Sequence, residues 1–409
     1  MHVAIIGGGI GGLTTALSLH AAGIGCDVYE SAPEIRPLGV GINLLPHAVR
    51  ELTELGLANA LAGTAIETES LIYANRFGQE IWREARGTGA GYRWPQFSIH
   101  RGALQMILLD AVRSRIGAAR VHTGAQAVRV GASSVAFHSG KIVETDVIVA
   151  ADGIHSAIRA QFYPREGPPK WNRRVLWRGV TEGLPFLGGR TMVMAGYENQ
   201  KFVCYPISRE AETRGRSLIN WVAELSIAGV KGWRREDWNR PGSLRDFLPN
   251  FANWHFGWLD VPAVIRGASH IYEYPMVDRD PVGRWTFDRV TLLGDAAHPM
   301  YPIGSNGASQ AILDARILAH ALATSRSTDA GLALYEESRR PGTGRLVLAN
   351  RANGPEQVMQ TVHERAPNGF TDISDVMSRD ELESAAGRYK QIAGFDRDAL
   401  NARESLSVR

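Results

Sequence analysis

Apolar residues along this chain follow two patterns, and the patterns occupy different regions. Short continuous apolar runs that stop at a glycine or an acid occur at Val3–Ile6, Val147–Ala151 and Val290–Leu293. Such runs predict strands buried on both faces of a parallel sheet. After the first run, Ile10, Leu13, Leu17 and Ala21 recur at helical spacing and Gly23 closes the helix; Cys26–Tyr29 then predicts a second strand. Another helical pattern, Gln105, Leu108, Leu109 and Val112, starts behind His100 and Arg101. By contrast, RTMVMAG (190–196), KFVCYPI (201–207) and SLINWVAEL (217–225) alternate and predict an antiparallel sheet. The stretch 233–265 is aromatic-rich and predicts partial helix, with Trp233, Trp238, Trp254 and Trp258 as packing residues. From residue 346 the chain is polar and helical in pattern, loop-like over 364–380. The fold class is α/β, with a Rossmann-like domain interleaved with a smaller antiparallel-sheet domain, plus a C-terminal helical segment.

The first strand runs into Gly7, Gly9 and Gly12, a GxGxxG whose other members include Ile10 and Gly11. The first glycine allows a tight turn, the second lets a pyrophosphate approach the backbone, and the third brings helix against strand. Glu30 ends the second strand, where an acid accepts hydrogen bonds from a ribose and disfavours a 2′-phosphate. Strand, glycines, helix and acid together predict a dinucleotide site. FAD and NAD both satisfy it.

Three later segments narrow the choice. FSIHRGALQMILLDAVRSRIG (97–117) places Arg101 at a helix start, where a phosphate or a surface ion pair is its partner. TDVIVAADGIHSAIR (145–159) carries Asp152 and Gly153 in a turn after a strand. RVTLLGDAAHPMYPIGSNGASQAILDARILAHAL (289–322) ends its strand at Gly294 and Asp295, turns at Pro299 and Pro302, and passes Gly304 before a helix near Gly307. Ser305 or Asn306 is the expected cap of that helix. No second GxGxxG follows a strand.

Composition excludes several classes. The net charge of +3 comes without a long basic block, so nucleic acid is not implied. No apolar run spans a bilayer and no signal peptide is read, which predicts a cytoplasmic protein without a membrane partner. The two cysteines, Cys26 and Cys204, form no CxxC and argue against zinc or dithiol chemistry, so no metal is expected.

GxGxxG, the ADG segment and GDAAH-x3-P-x-G, in this order, resemble the class A flavoprotein monooxygenases of the para-hydroxybenzoate hydroxylase type over roughly residues 1–350. Ala150, where many relatives carry glycine, is the one departure. EIRPLGVGIN (34–43), SIHRGALQMILL (98–109), WRGVTE (177–182) and YPMVDRDP (274–281) are similar to the phenazine-carboxylate branch of that family. The resemblance implies FAD on the opening motif, with Glu30 on the ribose, Arg101 near the pyrophosphate and Asp295 on the ribityl chain. It also implies Gly41, Asp152, Gly294, Gly304, Asn306 and Gly307 around the cofactor, and a Pro302 carbonyl bordering flavin and substrate. His298 is either structural or a proton relay. Asn43, Tyr205, Asn220 and Trp221 are candidate pocket residues, and Arg178 binds either a carboxylate or an ion-pair partner.

The implied reaction hydroxylates a small aromatic or heteroaromatic substrate, a carboxylate, with NAD(P)H and O2 through a flavin C4a-hydroperoxide. NADH is favoured over NADPH, and decarboxylation stays open. A flavin dehydrogenase or reductase and a non-catalytic flavin redox sensor are the alternatives. The expected assembly is a monomer or homodimer. The expected FAD-binding domain comprises 1–70, 97–172 and 286–345, the substrate domain 71–96 and 173–285, and the C-terminal segment 346–409.

Overall fold

Val3, Ala4, Ile5 and Ile6 are all buried, which places the strand His2–Ile6 inside a sheet covered on both faces. It pairs in parallel with Gly25–Tyr29 on one side and Val147–Ala150 on the other. Val290–Leu292 continues the parallel order, and Thr286–Phe287 and Val121–His122 form the edges of this six-stranded sheet. The protein, seen in a computed structural model, is described over residues 1–227 and 240–408. Trp233 and Trp238 lie outside the described residues. No helix among the described residues is long and apolar enough to cross a membrane.

The opening helix, Ile10–Ala21, packs on this sheet beside the helices Arg101–Arg115 and Gly307–Thr324. Two glycines permit that approach. A Cβ on Gly12 would lie 1.9 Å from the Gly7 carbonyl oxygen, and Gly7 itself has φ +111° with its Cα facing the Ala151 carbonyl. Nothing stands within 4 Å of a Cβ built on Gly9, so that glycine is spared for something other than the fold.

The second sheet has seven strands, in the order Ile271–Asp278, Lys170–Gly183, Ser217–Ser226, Gln200–Pro206, Thr191–Tyr197, Ser70–Ala74, Glu80–Ala85. One neighbouring pair departs from the expected antiparallel arrangement. Thr191–Tyr197 runs parallel to Ser70–Ala74. The hairpin 70–85 reaches the sheet from a distant part of the chain, so no tight turn forces its direction to alternate.

Pleating gives this sheet two different faces. Phe202, Cys204, Trp221 and Ala223 enter an apolar core with Trp177, Phe247 and Phe251. Trp221 is fully buried there, donates to Thr181 Oγ1 at 3.1 Å and lies 6.1 Å from Phe247. Its assignment to the substrate pocket is therefore corrected: Asn220 faces the other way, and adjacent strand residues cannot share a face. Trp254 and Trp258 pack in the same layer, each beside a phenylalanine at 5.0 Å. Cys26 and Cys204 are buried free thiols, and burial pushes the Cys26 thiol up to about 12.

Toward the C-terminus, Thr328–Arg351 is one helix, running without a break through residues 345 and 346. Gln357–Arg365, Arg379–Ala393 and Arg397–Ala402 follow, with a single short turn at Ile373–Asp375 between the first two.

Gly12→Ala is expected to destabilise the protein by about 1–3 kcal/mol, because the clash is with backbone. Gly9→Ala should stay within about 0.5 kcal/mol of the parent. Urea midpoints measured on flavin-free protein check the pair; equal midpoints would remove the helix–strand explanation.

Candidate functional site

In sheets of this kind ligands bind in a groove beyond the carboxyl ends of the parallel strands. The glycine turn forms one lip. Its Gly7 N–H donates to Tyr29 O at 2.8 Å, and Gln105 Nε2 donates to Gly8 O at 2.8 Å. Glu30 faces the turn and accepts from the backbone N–H of Gly8 and of Ala32, each at 2.7 Å. The next strand delivers Asp152, whose Oδ1 is buried without a partner. Burial raises its carboxyl above the usual range, against the Ser156 hydroxyl.

Arg101 begins its helix under Gly39, with its N–H donating to Val40 O at 2.9 Å. Burial lowers the pKa of its guanidinium; the Asp295 charge opposes that shift and the Arg178 charge adds to it. Asp295 is open to the groove but enclosed by protein on its other sides. That enclosure raises its carboxyl, while His298 and Arg101 pull it back. Structure thus gathers Gly7–Gly12, Glu30, Asp152, Arg101 and Asp295 at the carboxyl ends of the parallel strands.

The turn that carries Asp295 rests on a buried polar cluster. His298 Nε2 lies 2.6 Å from Asp314 Oδ2, and Arg339 Nε donates to Asp314 Oδ1 at 2.7 Å. Gly294 N–H donates to the same carboxylate at 3.0 Å. Arg159, on the helix Ala157–Phe162, donates from Nη1 to Ala296 O at 3.0 Å and to Ala297 O at 2.7 Å. His298 is buried, lies 5.3 Å from Trp285, and has its Asp314-bonded edge committed to the scaffold. Its other ring nitrogen, Nδ1, is buried without a hydrogen-bond partner.

A second fastening joins the sheets at one peptide. Gly41 N–H donates to Asn220 Oδ1 at 2.7 Å. The Gly41 carbonyl accepts from Tyr205 Oη at 2.9 Å and Arg178 Nη2 at 2.8 Å. So Tyr205 and Asn220 stand on the expected face but spend these groups on the backbone. Arg178 bonds the same peptide, and its guanidinium sits 5.9 Å over Tyr274. Asn220 Nδ2 and Arg178 Nε remain buried without acceptors.

The loop from Pro302 to Gly307 closes the groove. Pro302 is exposed, and Gly304 and Ser305 both have positive φ, +67° and +57°. A Cβ on Gly304 would lie 2.0 Å from Tyr389 Oη. Contrary to expectation, neither Ser305 nor Asn306 caps the Gly307 helix with its side chain. The Asn306 amide nitrogen donates to Gly304 O at 3.0 Å and to Tyr389 Oη at 2.9 Å, which turns its Oδ1, the atom a cap would use, toward Gln310 Nε2 at 3.3 Å. The helix amides are thereby left open at the groove end. Asn43 sits against this loop; its Oδ1 accepts from Ser98 Oγ at 2.6 Å, and its amide lies 3.4 Å from Ser305 Oγ.

Behind Gly304 and Ser305 lies a small cavity of about 30 Å³, walled by Leu71, Met192 and Met194 of the sheet and by Tyr389, Lys390 and Phe395 of the C-terminal segment. Alternation gives the sheet side of this wall, but nothing in the local pattern marks Tyr389 or Lys390 as site residues.

The FAD binding domain family matches residues 1–349. The chain is 48% identical to the phenazine 1,6-dicarboxylic acid hydroxylase of Lysobacter antibioticus, covering 85% of this chain and 89% of that one. It is 34% identical to the 3-amino-4-hydroxybenzoate 2-monooxygenase of Streptomyces platensis, over 87% and 88% of the two chains. In fold it resembles HpxO of Klebsiella pneumoniae, solved with FAD and uric acid, with TM-score 0.75, 24% identity and coverage of 98% and 96%.

Replacing Asp314 with Asn should cost about 3–5 kcal/mol, since Arg339 loses its buried counter-charge. Burial raises the Asp314 carboxyl, but His298 and Arg339 outweigh it and hold the value at about 2. A depressed folded value means that the stabilisation is present above the ordinary value of 3.8 and is lost as pH falls through about 2. Urea unfolding as a function of pH should show this acid limb in the parent and a flatter one in Asp314→Asn. An unchanged limb would show that Asp314 does not set it.

Proposed function

The chain belongs to the FAD binding domain family of aromatic hydroxylases, and from that premise we propose that it is an NAD(P)H-dependent monooxygenase inserting one oxygen atom from O2 into an aromatic or heteroaromatic carboxylate. One observation supports the reading: Gly7–Gly12, Glu30, Arg101 and Asp295 gather at one end of the parallel sheet, and a cavity lined by Gly304 and Ser305 lies behind the loop that follows Asp295.

The residues fit FAD. Gly9 leaves open space where a pyrophosphate meets backbone amides. Glu30 retains lone pairs for a ribose, Arg101 offers charge to the phosphates, and Asp295, beside Gly294, presents its carboxylate to a ribityl hydroxyl. Asp152 Oδ1, Asn220 Nδ2 and Arg178 Nε are buried polar atoms that lack partners within the protein. A polar ligand satisfies such atoms.

FAD, when bound and reduced by NAD(P)H, supplies the electrons that activate O2. The protein's own work is then positional and electrostatic. Open amides of the Gly307 helix, with Gly304 and Asn306 before them, stabilise negative charge at the groove end. Leu71, Met192 and Met194 hold a flat ring and exclude water. Gly41 and Asn43 fix the inner wall, and the Pro302 carbonyl borders the reacting end. NADH is the expected donor, by likeness to the phenazine branch. A kcat/KM ratio strongly favouring NADPH reverses that assignment.

With 18O-labelled O2, one labelled atom should appear in the hydroxylated product and one in water. Product oxygen drawn from water would reject the monooxygenase reading, as would NAD(P)H oxidation that no aromatic acid stimulates. Glu30→Ala should weaken FAD binding by about 1.5–3 kcal/mol, read by equilibrium titration of flavin-free protein. An unchanged affinity would remove Glu30 from the ribose.

A further inference from the structure

Resting on the reading that the substrate is an aromatic carboxylate, we propose that Arg86 and Lys390 form the subsite that binds its carboxylate group. Arg178 was the candidate for this role, but it bonds the Gly41 carbonyl. The cavity wall carries three charged side chains: Glu84, Arg86 and Lys390. Two cations face one carboxylate, so the wall has a formal excess of one positive charge.

Glu84 is shared between them. One oxygen meets Arg86 Nη2 at 2.6 Å and the other meets Lys390 Nζ at 2.7 Å. Burial pulls the Glu84 carboxyl up, but the two cations outweigh it and hold it below its ordinary value, so it stays ionised. The Glu84 and Arg86 side chains are 7% and 11% exposed and Lys390 25%, so solvent screens the charge weakly at Arg86 and in part at Lys390. Unmatched charge in such a place is costly unless an anion completes the set. Arg86 also keeps its Nε buried without an acceptor. A carboxylate satisfies both conditions: it carries one negative charge, and it accepts from a guanidinium edge.

The rest of the wall suits the ring to which that carboxylate is attached. Met192 and Met194 present polarisable thioethers beside Leu71, and such side chains pack well on flat aromatic faces. The two cations come from different parts of the chain. Arg86 directly follows the hairpin strand Glu80–Ala85, and Lys390 lies on the helix Arg379–Ala393, beyond residue 349 where the family match ends. Selection for acids is thus built partly from a segment outside the shared family domain.

The test titrates the FAD-loaded enzyme with phenazine-1,6-dicarboxylate and with its uncharged dicarboxamide, following flavin absorbance. The parent should bind the acid about tenfold or more tighter than the amide, as charge-assisted hydrogen bonds require. Arg86→Met and Lys390→Met should each cut that ratio severalfold or more, mainly by weakening the acid, at unchanged flavin content. Glu84→Gln should raise the ratio, because it removes the competing anion. If Arg86→Met does not fold, the opposite shifts expected of Lys390→Met and Glu84→Gln decide. Ratios that stay at the parent value in flavin-loaded variants overturn the subsite and leave the monooxygenase reading intact. A parent enzyme whose NAD(P)H oxidation responds to neither acids nor amides overturns both.

Discussion

The arrangement depends first on one peptide group, that of Gly41. Three side chains from three strands of the seven-stranded sheet converge on it: Arg178, Tyr205 and Asn220. A Cβ at this position would lie 2.6 Å from the Asn220 side chain, so the approach requires glycine. Gly41 pairs with His100, the residue before Arg101. The same contact therefore sets the distance between the sheets and the position of the groove's main cation. Buried polar groups in such a junction are stringent, because each one left unmatched costs desolvation energy.

Much of the nucleotide half was legible because its signals are local. A continuous apolar run, a glycine turn and an acid at the end of the next strand occupy the first thirty residues, and the structure builds strand, helix and strand from them. The second sheet was legible as alternation but not as a set of neighbours. The parallel pairing of Ser70–Ala74 with Thr191–Tyr197 joins segments more than a hundred residues apart, and no periodicity within either strand encodes it. Trp221 shows the opposite case. Its pairing with Cys204, and that of Asn220 with Tyr205, puts the two residues on opposite faces, a constraint already contained in their adjacency.

At the candidate site, the sequence marked residue types better than their obligations. His298 stood out within GDAAH, but its partner Asp314 lies sixteen residues further on and is itself held by Arg339, twenty-five residues beyond that. Asn306 looked like a helix cap because of its type and position. Tyr389, brought in by a later helix, accepts from its amide nitrogen and so turns its oxygen away from the helix amides, toward Gln310 Nε2. In both cases the deciding atom lies outside any window that a local pattern covers.

Tyr389 also explains why the C-terminal helix bears on the reacting end of the groove. Its hydroxyl donates to Asn350 Oδ1 at 2.8 Å and lies 3.2 Å from Ile303 O, which fixes the loop between Pro302 and Gly307 from behind. Ser305 in that loop has φ +57°, a conformation costing a non-glycine residue of order 1–3 kcal/mol. Such strain persists only where surrounding contacts over-determine it. Here Gly304 packs against the Tyr389 ring, Asn306 bonds its hydroxyl, and Asn43 braces Ser305 from the other side. Lys390 is the next residue along the same helix, and it reaches the cavity wall. A shift of this helix that alters the wall at Lys390 must also move Tyr389, and with it the strained loop. The wall at Lys390 and the strained loop between Pro302 and Gly307 are therefore coupled through one helix.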